Sequence, residues 1–136
     1  LMFYAYRDFT AECDAVLSTY GFGRAHHRAI YFIARSPGIS VAELLGILRI
    51  TKQSLSRVLS QLVREGFVSV EKAQTDRRRR LLRLTDKGEK LEKRLSEVQR
   101  ARIGDAYRAA GGNAIEGYRK VLLSIIDETD RKRFVE

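Results

Sequence analysis

Between Ser40 and Leu84 the apolar residues change from helical spacing to strict alternation, and this switch narrows the possible folds more than any other feature. Ser40-Val41-Ala42-Glu43 has the form of a capping box, in which the serine oxygen takes a free backbone N–H and the glutamate reaches back to the cap. Val41, Leu44, Leu45 and Leu48 follow at steps of three and four and predict a short helix. Thr51 is the next N-cap, for a helix through about Glu65 with Leu55, Val58, Leu59 and Leu62 inward. Gly66 stands where a helix-ending glycine belongs. From Phe67 to Lys72, and again from Arg80 to Leu84, the pattern alternates, with residues 73–79 left as a hairpin loop.

Two short helices joined by a tight turn and followed by a β-hairpin are the order of a winged helix-turn-helix. The flanks are helical. Met2, Tyr6, Phe9, Cys13, Val16, Leu17 and Tyr20 form one stripe, broken at Gly21 and Gly23, and a second helix runs from about Arg24 to Arg35 before Ser36-Pro37-Gly38. Thr85 caps a long helix bearing Leu91, Leu95, Val98, Ala106 and Tyr107, and after Gly111-Gly112 a last helix carries Ile115, Tyr118, Leu122, Ile125 and Ile126. The expected fold is mainly α with a small β wing (α+β). Residues 1–136 form one protomer, with a winged helix-turn-helix over 24–85 and dimerisation helices over 1–20 and 86–136. Striped helices that leave a small domain at both ends must bury their stripes, and a second copy of the chain is the expected partner, giving a homodimer.

The charge is focused. Of the net +9, ten Lys or Arg against three acids fall between Arg49 and Arg83, a net +7 in 35 residues. Such a segment is the footprint of a polyanion partner, here double-stranded DNA. The helix from Thr51 presents Lys52, Gln53, Ser54, Ser56, Arg57, Ser60, Gln61 and Arg64 on its polar side, and no acid occurs between Thr51 and Arg64. A helix face selected only for solubility usually carries Glu–Lys pairs. Arg57 suits guanine, while Gln53 and Gln61 suit adenine, in the major groove. Thr51, Ser54 and Ser56, near the helix N-terminus, suit phosphate oxygens. On the hairpin, Arg77 and Arg78 are suited to the negative potential of a narrow minor groove. Asp76 either holds Arg78 extended through a hydrogen bond or simply makes the turn; both are open.

Other chemistries find little support. One cysteine, Cys13, excludes an internal disulfide framework and fits a reducing compartment, so a cytoplasmic location is expected. The apolar runs fall far short of a membrane span. His26 and His27 are the two histidines; adjacent on a helix, they point about 100° apart and do not share a metal, so no metal or other cofactor is expected. No G-x-S-x-G string, phosphate-binding glycine loop or promising acid pair is present, so the chain does not read as an enzyme. A winged helix serving as a protein-interaction module is the alternative to a DNA binder.

Ser36-Pro37-Gly38-Ile39-Ser40-Val41-Ala42-Glu43-Leu44, Ile50-Thr51-Lys52-Gln53-Ser54, Leu62-Val63-Arg64-Glu65-Gly66, and Asp76-Arg77-Arg78 with Leu84-Thr85-Asp86-Lys87-Gly88 together resemble the MarR family of bacterial transcriptional regulators. The resemblance covers essentially the whole chain. It implies a winged-helix homodimer on a pseudo-palindromic operator, with the Thr51 helix in the major groove and Arg78, braced by Asp76, in the minor groove; an operator overlapping a promoter makes repression the default expectation, with activation the alternative. It also implies a small aromatic effector, for which His26 and Tyr31 are candidate contacts. The segment Gly21-Phe22-Gly23-Arg24-Ala25-His26-His27-Arg28 departs from the usual L-T-x-x-Q and is similar to a PetP-like subgroup. Some members use a reactive cysteine in the first helix, which makes Cys13 a redox candidate. Its neighbours Glu12 and Asp14 oppose thiolate formation, and a buried core cysteine is the favoured reading.

Overall fold

A computed structural model describes residues 1–134. In chain order the elements are α1 (Met2–Ser18), α2 (Arg24–Arg35), β1 (Ile39–Ser40), α3 (Val41–Leu48), α4 (Lys52–Arg64), β2 (Val68–Lys72), β3 (Arg80–Leu84), α5 (Asp86–Ala110), α6 (Gly112–Ile125) and α7 (Glu128–Arg131). The strands form one antiparallel sheet in the order β1-β3-β2, with Ile39 and Val70 both opposite Leu82. The helices and hairpin expected from periodicity are present. Both β1 and α7 are additions. A two-residue strand shows no alternation, and a helix of four residues is too short to repeat a stripe. Among the described residues, no helix is long and apolar enough to cross a membrane.

The chain divides into two compact units, Leu1–Gln99 and the segment from Arg100 onward. In the first, α4 buries the four residues expected of it, Leu55, Val58, Leu59 and Leu62, against a core shared with Ile30 and Ile33 of α2, Leu44 of α3 and Leu82 of β3. Cys13 and Leu17 of α1 and Leu91 and Leu95 of α5 belong to the same core. Helices expected to serve dimerisation therefore also complete the fold around the helix-turn-helix. The second unit differs. Its principal helix, α6, has no buried residue, and Tyr118, Val121, Leu122 and Ile125 stand exposed.

The end of α4 is clasped by the start of α5. Gly66, at φ +83°, turns the chain in the left-handed region that favours glycine. The Thr85 hydroxyl donates to the Gly66 carbonyl at 2.6 Å while accepting the Gly88 N–H at 3.1 Å, so one side chain caps α5 and ties it to the exit of α4. Its backbone N–H donates to the Phe67 carbonyl, and Lys87 donates to the Glu65 carbonyl at 3.0 Å while lying 4.4 Å over the Phe67 ring. Gly88 is required for a different reason from Gly66. A Cβ there would stand 2.1 Å from the Phe67 carbonyl oxygen, a distance no pair of atoms tolerates.

Gly88→Ala should accordingly destabilise the protein by about 1–3 kcal/mol through overpacking, despite the better helix propensity of alanine. Denaturant unfolding checks this; a neutral or stabilising result would mean that α5 shifts without cost.

Candidate nucleic-acid interface

The helix expected to read DNA begins at Thr51, whose side-chain oxygen accepts the Ser54 N–H at 3.1 Å and whose hydroxyl donates to the Ser54 hydroxyl at 2.7 Å. Both hydroxyls are thus held at the helix N-terminus, where free N–H groups and the helix dipole favour a phosphate. Lys52, Gln53, Ser56 and Arg57 line one shallow depression of about 600 Å³ on the exposed side of α4. The α3–α4 turn is made by Arg49, a non-glycine residue at φ 51°.

Gln61 sits differently. It is half-buried, and its side-chain oxygen lies 2.8 Å from Nε2 of His26. Nδ1 of the same ring accepts the Gly23 N–H at 3.0 Å, which caps α2 and leaves the ring proton on Nε2, facing Gln61. The His26 ring also stacks on Phe22, with centroids 4.8 Å apart, and Phe22 packs edge-on against Phe67. Gln61 therefore ties the reading helix to the start of α2 instead of facing outward with Gln53 and Arg57. Both ring nitrogens of His26, an expected effector contact, are thus occupied by contacts within the fold. Tyr31, five residues on along α2, points about 140° away. There it lies under the Arg35 guanidinium, 3.5 Å from its ring centroid, and Arg35 pairs with Glu92 at 2.7 Å. His26 and Tyr31 are not brought together. The adjacent His27 has its pKa lowered, mainly by burial, against the opposing pull of Asp14 and Glu92.

On the wing, residues 73–79 are closed by the Ala73 N–H to the Arg79 carbonyl and by the Arg79 N–H to the Asp76 carbonyl. The Asp76 carboxylate accepts the backbone N–H of Arg78 at 3.0 Å. This contact is the turn-making role expected of Asp76: it shapes the backbone of the tip, and among the described residues no ion pair joins it to the Arg78 guanidinium. Arg77 and Arg78 are exposed and form no ion pair among the described residues. Arg79 instead pairs with Glu43 of α3, and Arg83 lies 4.0 Å from Glu71 across the hairpin. Between the wing and α3–α4 runs a groove of about 820 Å³. Arg78, Arg79 and Arg80 line one side and Lys52, Ser56 and Arg64 the other, above an apolar floor that includes Leu45, Leu55, Leu59 and Leu82.

Two features of this surface escaped the reading of periodicity. The Glu43 N–H caps onto the Ser40 hydroxyl as expected, at 3.1 Å, but the Glu43 carboxylate turns to the wing. A signal was available: Glu43 is the one acid between Ser40 and Arg64. The His26–Gln61 pair has no such signal. Cys13 is fully buried, with its thiol 3.5 Å from the Leu95 carbonyl, and burial, then Asp14 and Glu12, push its pKa up. This environment disfavours the thiolate that redox chemistry needs.

Comparison with known proteins agrees with this geometry. The sequence profile of the MarR family matches residues 20–79. The HTH-type transcriptional regulator PetP of Rhodobacter capsulatus is 50% identical over 133 residues, spanning 98% of this chain and 80% of that protein. The structure of FabT from Streptococcus pneumoniae in complex with DNA superposes with a TM-score of 0.70 at 18% identity, covering 92% of this chain and 94% of that one. NadR in complex with 4-hydroxyphenylacetate superposes with a TM-score of 0.77 at 23% identity, covering 93% and 91%.

Gln61→Ala should leave the half-buried His26 N–H without its acceptor and cost about 1–3 kcal/mol of stability, with base preference retained in the protein that stays folded. Gln61→Glu keeps an acceptor and should recover most of the loss. Unchanged unfolding together with a lost base preference would return Gln61 to the reading face.

Proposed function

This chain belongs to the MarR family of DNA-binding transcriptional regulators, and from that premise we propose that it acts as a cytoplasmic homodimeric repressor on a pseudo-palindromic operator. Each protomer lays α4 in a major groove, where Arg57 and Gln53 meet base edges and Thr51, Lys52, Ser54 and Ser56 meet phosphates. Arg77 and Arg78 carry the wing tip to the adjacent minor groove, with Asp76 shaping the turn that presents them. Occupying an operator that overlaps a promoter blocks polymerase.

One observation carries this reading. Lys52, Ser56, Ser60 and Arg64 of the acid-free face of α4 and Arg78 of the wing tip, which forms no ion pair among the described residues, line the same groove. Electrostatic attraction alone would need neither the hydroxyls at the helix N-terminus nor a tip folded around Asp76. The homodimer is supported by α6. A 14-residue helix with an apolar stripe and no buried residue is marginal by itself and gains its stability from a partner surface. Met2, Phe3 and Tyr4, exposed at the start of α1, offer further apolar area. The aromatic ligand of NadR supports a small aromatic effector for this chain as well. With His26 committed to α4, Tyr31 is the remaining one of the two candidate contacts. A coupling of about 1–3 kcal/mol between effector and DNA would make a working switch.

Selecting duplexes from a random pool and measuring their affinities over a salt series tests the proposal. Arg57→Ala should cost about 1–3 kcal/mol at one base position. Arg78→Ala should weaken binding more than Arg80→Ala, because Arg78 stands at the tip and Arg80 on the strand behind it. Equal losses from the two wing variants, and a uniform loss from Arg57→Ala, would reduce the surface to diffuse charge.

A further inference from the structure

Glu43 stands out on a surface otherwise built for phosphates. It is the one acid from Ser40 to Arg64, and it lies in the first turn of α3 with its carboxylate paired to Arg79. Both side chains are about half exposed, at 51% for Arg79 and 53% for Glu43. Ion pairs of that kind add little to stability, and the helix dipole, which favours an acid in the first turn, does not require its carboxylate to face the wing. The place of its partner in the wing suggests what does. Arg79 is the closing residue of the loop: its carbonyl takes the Ala73 N–H and its own N–H goes to Asp76. From Ser69 to Lys72 every residue of β2 is exposed, Ala73 beyond them is buried, and β1 pairs along β3 at Leu82 and Leu81 and not at Arg80. Beyond Leu81 the hairpin continues as two strands, and a two-stranded end moves more readily than the packed sheet behind it.

We propose that Glu43 is a positioning residue for DNA recognition: by pairing with Arg79 it tethers the wing to the helix-turn-helix and withholds one arginine from indiscriminate phosphate binding. This inference rests on the α4-and-wing reading above and adds a division of labour within the arginine run. Arg77 and Arg78 reach outward, and Arg79 anchors. On the selected site, the tether holds the wing in register with α4, so that tip and helix seat together. On unrelated duplex no such seating occurs, and the paired Arg79 contributes nothing. The tether thus widens the gap between specific and non-specific binding without adding a contact to either, a means of discrimination that acts against the wrong partner.

The test compares the full chain with Glu43→Gln, Arg79→Glu and the charge-swapped double variant Glu43→Arg/Arg79→Glu. The probes are a duplex enriched by the wild-type protein from a random pool and a scrambled duplex of equal length, each titrated over a salt series. Freeing Arg79 by Glu43→Gln should strengthen scrambled-duplex binding by up to about eightfold at 0.1 M salt and steepen its salt slope by about 0.9, the counterion release of one phosphate. The selected duplex should gain less, so the preference ratio falls. Arg79→Glu should weaken binding to both duplexes and lower the ratio. The double variant restores an ion pair at unchanged net charge and should return the ratio toward wild type, with its melting temperature lowered slightly by the cation in the first turn of α3. Equal shifts on both duplexes from Glu43→Gln, or a double variant no better than Arg79→Glu, would overturn the tether while leaving the DNA-reading surface intact. Failure of the wild-type protein to enrich any duplex would overturn both.

Discussion

The geometry of this protein depends on how the exit of α4 is held. Within the residues around Gly66, the reading helix ends, the first wing strand begins and α5 starts alongside. Thr85 bonds to both sides of this junction, Lys87 covers it, and Gly88 gives the Phe67 backbone room to pass. A displacement of α5 at this point cannot leave α4 and the wing where they are, since interiors packed this closely move as units. The near end of α4 is capped by Thr51, and its flank is tied to α2 through Gln61 and His26. The face that remains free is the one bearing Gln53, Ser56 and Arg57.

That arrangement assigns unequal work to a basic segment whose members look alike on paper. Arg77 and Arg78 occupy the tip, Arg79 is turned back to α3, Arg80 lines the groove, and Arg83 is balanced across the hairpin by Glu71. The acids are few, and two of them shape the wing. Asp76 shapes the turn, and Glu43 reaches the wing. The segment keeps its net positive charge, with its basic groups held on the helix, the wing tip and the strand behind it. A flexible basic tail would give the charge without that spacing.

Much of the fold was legible because it follows from period and punctuation. The bounds of α2 match the stretch between Gly23 and Ser36-Pro37-Gly38, and the wing strands follow their alternation. What was not legible came from contacts between distant segments. Glutamine at position 61 has the right chemistry for adenine and for histidine alike, and only the packing of α2 against α4 decides between them. Glu43 satisfied the pattern of a capping box, yet an exposed carboxylate near a guanidinium has a stronger option than a backbone N–H. Asp76 was ambiguous by type, since a short carboxylate serves a turn as readily as a brace. His26 looked available because a sequence carries no sign of which ring nitrogens are already bonded.

In the proposed function, helix and wing read two grooves at once, in two copies. Methylation interference on a duplex selected by the protein tests it most directly, because methyl groups on guanine N7 block the major groove and those on adenine N3 block the minor groove. N7 interference is expected in two half-sites about one helical turn (~34 Å) apart, each with N3 interference beside it where the wing enters. Interference in one groove only, or at a single unrepeated site, would contradict it.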